Sequence, residues 1–324
     1  MPMVADIRHH FPDANIDWVV EEAYTSLVRL NPHVRTIIPI ALRRWRKSLG
    51  KAATRAEIVA FYQHLRAQAY DIVFDTQGLL KTSVVMRMAR LAPGGKRVGL
   101  ANATEGSGYE PISKIFHQQS ISVGLRTHAV MRARLVAAAA LGYTVDEPAD
   151  FALQPPPPTV LPWLPSTPYA VFLHGTARAA KQWSAANWIT LAQALQSRKL
   201  PVLLPWGNAR ELAAAQQLAA GMPQATVLPS LPLMDAVTLV HQATLVVGLD
   251  TGLTHIAAAY CRPTVELYCD SPRWKTEGNW SPYIANVGDT GIAPDVAQVL
   301  QALDAVLSLP AASGRPNDTH DNEA

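Results

Sequence analysis

The residues best suited to chemistry in this chain form a short polar turn between an apolar run and a helix. Residues 245–249 predict a buried parallel strand, and helical spacing begins at Leu253. Between them lie Asp250, Thr251 and Gly252. The free N–H groups of a helix's first turn, with the positive end of the helix dipole, suit a diphosphate. The turn therefore predicts an anion site at the carboxyl edge of a parallel sheet.

Two side chains of this stretch allow both a structural and a functional interpretation. Asp250 precedes the helix, where an aspartate is usually an N-cap, but it can also face the ligand edge of the sheet. His255 lies near the first turn, within reach of the same anion, although a histidine on an apolar helix is usually a core residue. The residues alone leave both interpretations open.

The string from Asp250 to His255, Asp-Thr-Gly-Leu-Thr-His, resembles the donor-site signature of glycosyltransferase family 9, the heptosyltransferases. The resemblance implies an α/β protein of the GT-B type, with two Rossmann-like domains facing a central cleft. It also implies an inverting transfer of L-glycero-D-manno-heptose from ADP-heptose to the Kdo of Kdo-lipid A, in lipopolysaccharide inner-core biosynthesis. No metal or cofactor is implied, because a helix dipole and a lysine can hold the diphosphate.

The family's donor site also matches two loops that follow other predicted strands. In the loop after the first strand of the second half, the resemblance implies that Gly175, Thr176 and Lys181 hold the donor diphosphate. Lys181 would also stabilise the charge that builds on the leaving group, which makes it the catalytic candidate. After a Pro-Trp-Gly turn, Glu211 matches the position that binds the ribose. The predicted donor-binding set is completed by Asp250, Thr251, Gly252 and His255.

A basic segment surrounds Trp45 and is free of acidic residues from position 23 to position 56. Its cations are Arg43, Arg44, Arg46 and Lys47. Such a run is usually a solvated face, and no stacking series or recognition motif favours nucleic acid. The segment is similar to that of family members whose acceptor is phosphorylated, carboxylated Kdo-lipid A, and arginine forks match these oxyanions. The resemblance implies acceptor binding here, with Trp45 at a lipid interface.

A second polar turn follows the predicted strand at 71–75. Its string, Asp-x-Gln-Gly-x-x-Lys, is similar to that of family members that add the first heptose, although ordinary turn chemistry would also produce it. The resemblance implies acceptor contacts from Asp75, Gln77, Gly78 and Lys81. It also implies that Arg126 and His128 add positive charge on the acceptor side, and the loop at 101–109 is a candidate acceptor lid.

The length and composition of the chain favour two domains. A chain of 324 residues, 49% of them hydrophobic, can bury two cores. The proline-rich segment 154–168 has the composition of a semi-rigid linker. We predict an acceptor-binding domain at 1–153, a donor-binding domain at 169–310 and a disordered tail at 311–324. A net charge of +6 over residues 1–150, against −3 over the remainder, favours an anionic partner for the first domain.

Strands and helices alternate in both halves, which independently favours two doubly wound domains. Strands are predicted at 16–20, 36–40, 71–75, 96–100, 169–173, 202–204, 225–228, 245–249 and 264–268. Helices are predicted from Ala23 and at 55–66, 126–141, 209–219, 233–242 and 294–307, and an irregular region is predicted at 269–283.

The composition also bears on the compartment and excludes several kinds of site. Cys261 and Cys269 form no CxxC pattern and lack nearby histidine partners, which argues against a metal site and fits a reducing compartment. No apolar run reaches the roughly 18 residues of a membrane span, and no signal peptide opens the chain. We predict a cytoplasmic protein with at most peripheral contact with the inner face of the cytoplasmic membrane, and no nucleic-acid partner.

The chain opens with helical spacing, whereas a doubly wound domain normally opens with a strand. In the family that strand precedes a Ser-x-Gly-Asp turn, whose aspartate is assigned as the general base, and no such turn stands at the start of this sequence. We therefore expect that Met1 is an internal methionine. Loss of a general base costs about 10²–10⁴-fold in rate, so the chain as it stands is expected to transfer little heptose.

Two other functions stay open at this point. One is a heptosyltransferase that acts on an already heptosylated core, and the other is an inactive protein that binds nucleotide sugar or lipid A without turnover. Fold alone excludes neither, because function depends on the site. Assays of acceptors with and without a first heptose would separate transfer to Kdo-lipid A from transfer to an already heptosylated core.

Overall fold

The computed structural model describes residues 1–176, 178–222 and 224–310. The chain divides into two compact units, Met1–Gln154 and Pro155–Ala324. Residues 154–168 contain neither helix nor strand. The segment 311–324, predicted to be a disordered tail, lies outside the described residues.

The first unit alternates strands and helices along the chain. In order, its elements are α1 (Pro2–His10), β1 (Ile16–Glu21), α2 (Thr25–Val28), β2 (Val34–Ile40), α3 (Leu42–Trp45), α4 (Ala52–Leu65), β3 (Tyr70–Asp75), α5 (Leu80–Met88), β4 (Leu91–Leu100), β5 (Gln119–Ile121) and α6 (Ala129–Leu141). Short 3₁₀ turns cover Glu22–Tyr24 and Pro111–Phe116.

The strands of the first unit form two parallel sheets. One pairs β1 with β2, and the other has the order β3-β4-β5. The two sheets are joined by a hydrogen bond from the Tyr70 hydroxyl to the Asp17 carboxylate, at 2.9 Å. Behind the sheets lies a core in which Ile38 of β2 and Phe61 of α4 are buried.

An ion pair between distant parts of the first unit ties its first helix to its last. Arg134 on α6 donates to both carboxylate oxygens of Asp6 on α1, at 2.7 and 2.8 Å. It also donates to the Glu147 carbonyl. Arg134 is buried, as are Val4 and Ile7 on the same helix as Asp6. The guanidinium is therefore both paired and hydrogen-bonded, as a buried charge requires.

The second unit continues the alternation of strands and helices. Its elements are β6 (Ala170–Leu173), α7 (Ala185–Gln196), β7 (Val202–Leu204), α8 (Ala209–Ala220), β8 (Ala225–Val227), α9 (Leu233–Gln242), β9 (Leu245–Leu249), α10 (Gly252–Ala259), β10 (Thr264–Tyr268), α11 (Arg273–Thr276), β11 (Ile284–Gly288) and α12 (Val296–Leu307). A 3₁₀ turn covers Ala179–Lys181.

Six parallel strands form one sheet in this unit, in the order β11-β10-β9-β6-β7-β8. Counted along the chain, this is the doubly wound order, with the reversal between β6 and β9. Ligands of such sheets bind outside the carboxyl ends of the strands at this reversal. The topology therefore places a ligand edge where β6 and β9 end.

Apolar packing on both faces makes this sheet a rigid support. On one face, Phe172 packs against Trp188, with ring centroids 4.9 Å apart, and Trp188 meets Trp183 at 5.0 Å. On the other face, Val171 and Leu173 join a second cluster with Leu239. A strand covered on both faces is continuously apolar, which is why the sequence predicts these strands well.

Several helices and strands differ from the sequence prediction. The helix predicted at 126–141 begins at Ala129, because the His128 Nδ1 accepts from the Val130 N–H and caps it. The helix predicted from Ala23 is a 3₁₀ turn and the single turn α2. Asn31 precedes Pro32, which disfavours helical geometry there.

Several elements were missed and one irregular region is partly ordered. The sequence analysis missed α7, although Ser184 caps it by accepting from the Asn187 N–H. It also missed the short strand β5 and the edge strand β11. The region 269–283, predicted to be irregular, contains the single turn α11.

Candidate functional site

The candidate site lies at the ligand edge of the six-stranded sheet, where four loops carry polar residues. The loop after β6 holds Gly175, Thr176 and Lys181, and the loop after β9 holds the Asp250 turn. The loops after β7 and β10 contribute the start of α8 and the residues around α11. All four loops leave parallel strands at their carboxyl ends, so they share one edge.

Lys181 and Asp250 form an ion pair across the reversal of the sheet. The Lys181 Nζ donates to the Asp250 Oδ2 at 2.7 Å, and neither side chain is more than 19% exposed. The two residues were predicted separately, one in each loop, and the fold brings them into contact. A partly buried, charge-assisted hydrogen bond of this length holds the ammonium group in a defined position.

His255 is bracketed by two carboxylates. Its Nε2 lies 3.1 Å from the Asp250 Oδ1, and its Nδ1 lies 3.1 Å from the Glu266 Oε1. Burial alone would lower the pKa of His255, but the hydrogen bonds to Asp250 and Glu266 outweigh it and raise the pKa to about 9. The ring is therefore an imidazolium at neutral pH, and both of its N–H groups donate.

Asp250 is the centre of this group of charges. It accepts from Lys181, from His255 and from the Thr276 hydroxyl, which lies 3.1 Å from the Asp250 Oδ1. Burial would raise the pKa of Asp250, but hydrogen bonds from His255 and Lys181 hold it well below its usual range. The carboxylate stays ionised throughout the physiological range.

The interpretation of Asp250 as a helix cap is wrong. The N-cap of α10 is Thr251, and no side chain caps this helix. Elsewhere in the unit, Ser184, Asn208 and Asp295 each cap their own helix. Asp250 lies one residue before the N-cap position, and its oxygens accept from Lys181, His255 and Thr276 instead. The N-terminus of α10 therefore lacks the side-chain acceptor that α7, α8 and α12 have.

Gly252 opens α10 and is exposed, and a Cβ atom at this position would meet nothing within 4 Å. Thr251 and Thr176 are half-buried beside the same edge. A ligand therefore finds room to approach the first turn of α10, where backbone N–H groups favour an anion.

Glu211 lies against the loop after β6. Its carboxylate accepts from the Gly207 N–H and from the Asn208 side chain, both at 2.7 Å. A Cβ atom at Gly175 would lie 2.7 Å from the Glu211 carboxyl carbon, so only glycine permits this approach. The predicted residues Gly175 and Glu211 are neighbours in the fold.

Two residues at this edge were missed by the sequence analysis. His174 is 7% exposed, its Nε2 has no hydrogen-bond partner among the described residues, and burial lowers its pKa. Glu266 is fully buried on β10. The signal for Glu266 was present in the sequence as one charged residue inside the apolar run Thr-Val-Glu-Leu-Tyr.

In the first unit, Asp75 shapes the turn that follows β3. It is 3% exposed, and its carboxylate accepts from the N–H groups of Gln77 and Gly78 and from the Ser83 hydroxyl. Gly78 has a φ of +67°, a backbone conformation that favours glycine. Of the predicted acceptor residues here, Gln77 and Lys81 are the exposed ones.

The loop at 101–110 covers this turn. The Glu110 N–H donates to the Gly78 carbonyl at 2.8 Å, and the Glu110 carboxylate accepts from the Leu80 N–H at the start of α5. A Cβ atom on Gly78 would lie only 2.7 Å from the Tyr109 ring, so the ring packs directly against this glycine. The N-terminus of α5 is therefore already occupied by the Glu110 carboxylate of the same chain.

The basic segment is only partly available to a ligand. Arg44 is paired with Glu22 at 2.9 Å and with Glu57 at 2.8 Å, the two acids that bound the segment in the sequence. The side chains of Arg43, Arg46 and Lys47 are exposed and make no ion pair within the described part of the chain. Three of the four predicted cations therefore face solvent without a counter-charge.

The prediction that Trp45 lies at a lipid interface is wrong. Trp45 is 7% exposed and packs edge-on against Phe61, with ring centroids 5.6 Å apart. Its Nε1 donates to the Glu57 carboxylate at 2.8 Å. Trp45 is thus a core residue whose N–H is hydrogen-bonded to the half-exposed Glu57, and it anchors the segment to α4.

Sequence comparisons identify the family of this chain. The model of glycosyltransferase family 9 (heptosyltransferase) matches residues 58–302. Lipopolysaccharide heptosyltransferase 1 of Pseudomonas aeruginosa is 37% identical over 269 residues, which are 83% of this chain and 74% of the relative. The chain belongs to glycosyltransferase family 9.

Solved structures of family 9 proteins share the architecture. The Escherichia coli heptosyltransferase WaaC with ADP has a TM-score of 0.80 and 30% identity, over 94% of this chain and 93% of that one. WaaC with ADP-2-deoxy-2-fluoro heptose has a TM-score of 0.72 and 31% identity, over 95% and 92% of the two chains. The fold class is α/β of the GT-B type, and the family 9 chain is a glycosyltransferase.

Two further findings concern the described residues of this family 9 chain. They contain no group of three or more histidine, cysteine, aspartate or glutamate side chains that could hold a metal ion. No helix within the described ranges is long and apolar enough to cross a membrane.

Proposed function

We propose that this chain transfers L-glycero-D-manno-heptose from ADP-heptose to the Kdo of Kdo-lipid A, with inversion at the anomeric carbon. The names of its relatives support this reaction: the P. aeruginosa protein is a lipopolysaccharide heptosyltransferase 1, and WaaC was solved with ADP and with an ADP-heptose analogue. The observation that carries the proposal is the Lys181–Asp250 ion pair at 2.7 Å beside the uncapped α10.

The second unit is proposed as the donor-binding domain, over residues 169–310. The N–H groups of Gly252 and its neighbours in the first turn of α10 receive the diphosphate, together with Thr176 and the Lys181 ammonium. Thr251 and His255 border the same position. Glu211, one loop away at the same sheet edge, accepts from the ribose hydroxyls, since a carboxylate can accept from both hydroxyls of a ribose.

Lys181 acts on the leaving-group side of the reaction. As the acceptor hydroxyl attacks the anomeric carbon and gives up its proton to a base, the bond to the diphosphate oxygen breaks and ADP leaves with the electron pair. The base that the family resemblance implies is the aspartate of the Ser-x-Gly-Asp turn, and without it the proton passes to water and transfer is slow. The Lys181 ammonium and the α10 N–H groups stabilise the negative charge that builds on the diphosphate oxygen. Asp250 keeps the ammonium in place before the donor arrives, because the ion pair is only partly exposed.

The first unit is proposed as the acceptor-binding domain, over residues 1–153. The exposed cations Arg43, Arg46 and Lys47 can pair with the phosphates and carboxylate of Kdo-lipid A. Gln77 and Lys81 add polar contacts beside the Gly78 turn. Because this acceptor is a lipid, we further propose that the protein works at the inner face of the cytoplasmic membrane, from the cytoplasm.

The proposal is tested by titrating ADP calorimetrically into the full chain. Lys181→Ala and Glu211→Ala should each weaken binding by about 1–3 kcal/mol, the typical cost of losing a hydrogen bond to a charged group. Arg210→Ala is the matched control, because Arg210 is an exposed neighbour of Glu211 on α8. Equal affinity in all variants would remove this site from consideration.

The acceptor is tested separately, with heptose transfer to Kdo-lipid A and to an already heptosylated core measured side by side. Transfer to the first acceptor alone supports the proposal. Transfer to the second alone assigns the chain to a later step of core assembly.

A further inference from the structure

Glu266 occupies a position where an ionised side chain needs a specific reason. It lies in the middle of β10, between Val265 and Leu267, and all three residues are 0–1% exposed. Its strand neighbours in register are Gly248 on β9 and Asn286 on β11, neither of which carries a charge. Burying a carboxylate away from water is costly unless it is paired and hydrogen-bonded.

The partners of Glu266 divide into two kinds. Its Oε2 accepts from the Tyr268 hydroxyl at 2.9 Å and from the Gly278 N–H at 2.8 Å, both of which are neutral donors. Its Oε1 lies 3.1 Å from the Nδ1 of His255. Among the ion pairs of the described residues, His255 is the cation that faces Glu266.

His255 connects Glu266 to the proposed donor site. The carboxylates of Asp250 and Glu266 face its ring from the loop after β9 and from β10. Lys181 binds the other oxygen of Asp250, Thr276 of α11 also donates to Asp250, and Tyr268 binds the other oxygen of Glu266. These contacts link four side chains of alternating charge in a row, which are Glu266, His255, Asp250 and Lys181.

We propose that Glu266 is a positioning residue of the donor site, which keeps His255 protonated and in one ring orientation, so that Asp250 in turn holds Lys181 where the diphosphate binds. This inference rests on the proposed donor site. Glu266 itself touches no substrate, because it is fully buried. Without its charge, His255 would face only Asp250, whose negative charge is already shared with Lys181.

The proposal has a consequence for the pH dependence of donor binding. In the wild-type protein the pKa of His255 is about 9, so its proton is present below that pH and lost as the pH rises through it. ADP affinity should therefore be nearly constant between pH 6.5 and 8. In Glu266→Gln, which keeps an oxygen acceptor for the ring but removes the charge, the loss should begin within this range, because the midpoint moves down to about pH 8 or below.

The decisive experiment follows the titration of His255 by NMR in the full chain with ¹³C-labelled histidine. Glu266→Gln should lower the midpoint by at least about one pH unit, a normal effect of removing an adjacent opposite charge. Tyr268→Phe is the matched control, because it removes a neutral donor from the same carboxylate and leaves the charge. Its midpoint should stay near that of the wild type. An equal shift in both variants, or no shift in Glu266→Gln, overturns the proposal.

A second measurement applies if Glu266→Gln fails to fold. In Asp250→Asn, Glu266 is the one remaining carboxylate on the ring, so the His255 midpoint should stay above 7. A midpoint at or below the ordinary value of about 6.5 would contradict the proposal.

ADP titrations at pH 6.5 and 8 separate this inference from the proposed function. Relative to the wild type, Glu266→Gln should lose at least about twofold in affinity between the two pH values, because a midpoint lowered by one unit from about 9 leaves His255 about half protonated at pH 8. Absence of ADP binding by the wild type would refute the donor site itself. Wild-type binding with an unchanged pH profile in Glu266→Gln would refute only the role of Glu266.

Discussion

The two charged regions of this chain hold their cations in opposite ways. In the basic segment around Trp45, Arg44 pairs with Glu22 and Glu57 at the surface, with side-chain exposures above 40%, and the remaining cations face solvent. At the donor edge, the side chains of Lys181, Asp250, His255 and Glu266 are each less than a third exposed and bind one another.

The difference shows that the density of charge in a sequence does not predict how firmly the charges are held. Exposed ion pairs contribute about 0–1 kcal/mol, whereas removing one partner of a buried pair costs about 3–5 kcal/mol. The dense basic segment therefore stays adaptable and suits a large polyanionic acceptor. The sparse charges of the donor edge form a fixed arrangement, which suits a single diphosphate.

The largest expected effect concerns the anchor of the basic segment. Trp45→Ala should lower the free energy of unfolding by about 3–5 kcal/mol, as for other buried tryptophans, in chemical denaturation followed by circular dichroism. Leu49→Ala is the control, because Leu49 is 55% exposed in the same segment. If Trp45→Ala stayed as stable as the wild type but lost binding to lipid vesicles, the lipid-interface interpretation would be restored.

The next effect concerns the fixed cation of the donor edge. Lys181→Gln should lower kcat by about 10²–10³-fold, the usual cost of removing one donor aimed at developing charge. Lys199→Gln is the matched control, since Lys199 is an exposed lysine of the same unit. Heptose transfer at saturating donor measures this, and a comparable loss in the control would point to a general charge effect.

A smaller effect concerns the pH dependence of stability. The pKa of His255 is raised to about 9, so its stabilising contribution is complete below about pH 6.5 and lost as the pH rises through 9. Thermal unfolding should show a loss on the order of 2 kcal/mol between pH 7 and 10. His255→Gln should abolish most of this slope, whereas His64→Gln, at an exposed position on α4, should keep it. A slope identical in both variants would contradict the assignment.

The smallest effect concerns the unpaired cations of the basic segment. Arg46→Glu with Lys47→Glu should raise the KM for Kdo-lipid A by roughly fivefold, as about 1 kcal/mol of exposed charge is lost, and leave the KM for ADP-heptose unchanged. Arg44→Gln should do less, because Glu22 and Glu57 already neutralise Arg44. Salt should weaken acceptor binding, since screening acts over about 8 Å at physiological ionic strength. Equal changes in both KM values would indicate a folding defect.

Much of the second unit could be predicted from the sequence, because its strands are covered on both faces. The bounds predicted for β9, β10 and α9 agree with the structure. Apolar runs of this kind are local signals, and the polar turns that follow them identify the ligand edge. The resemblance of the string from Asp250 to His255 to glycosyltransferase family 9, which is also a local signal, was confirmed by the family match.

The parts that sequence reasoning missed depend on contacts between distant residues. Nothing near Trp45 in the sequence reveals that Phe61 and Glu57 on α4 will cover it. Likewise, Asp250 looked like a cap because its partners Lys181 and Thr276 lie in other loops. Glu266 could have been suspected from its apolar neighbours, but its partner His255 is fixed only when α10 packs beside β10.

The ion pair between α1 and α6 sets an order of events during synthesis. Asp6 and Arg134 are 128 residues apart in the sequence. At bacterial elongation rates of about 5–20 residues per second, Arg134 is made roughly 6–26 s after Asp6. Throughout that interval the Asp6 carboxylate lacks the Arg134 guanidinium that pairs with it in the finished unit, where Val4 and Ile7 of the same helix are buried. The packing of α1 in the first unit is therefore completed only after α6 has been made.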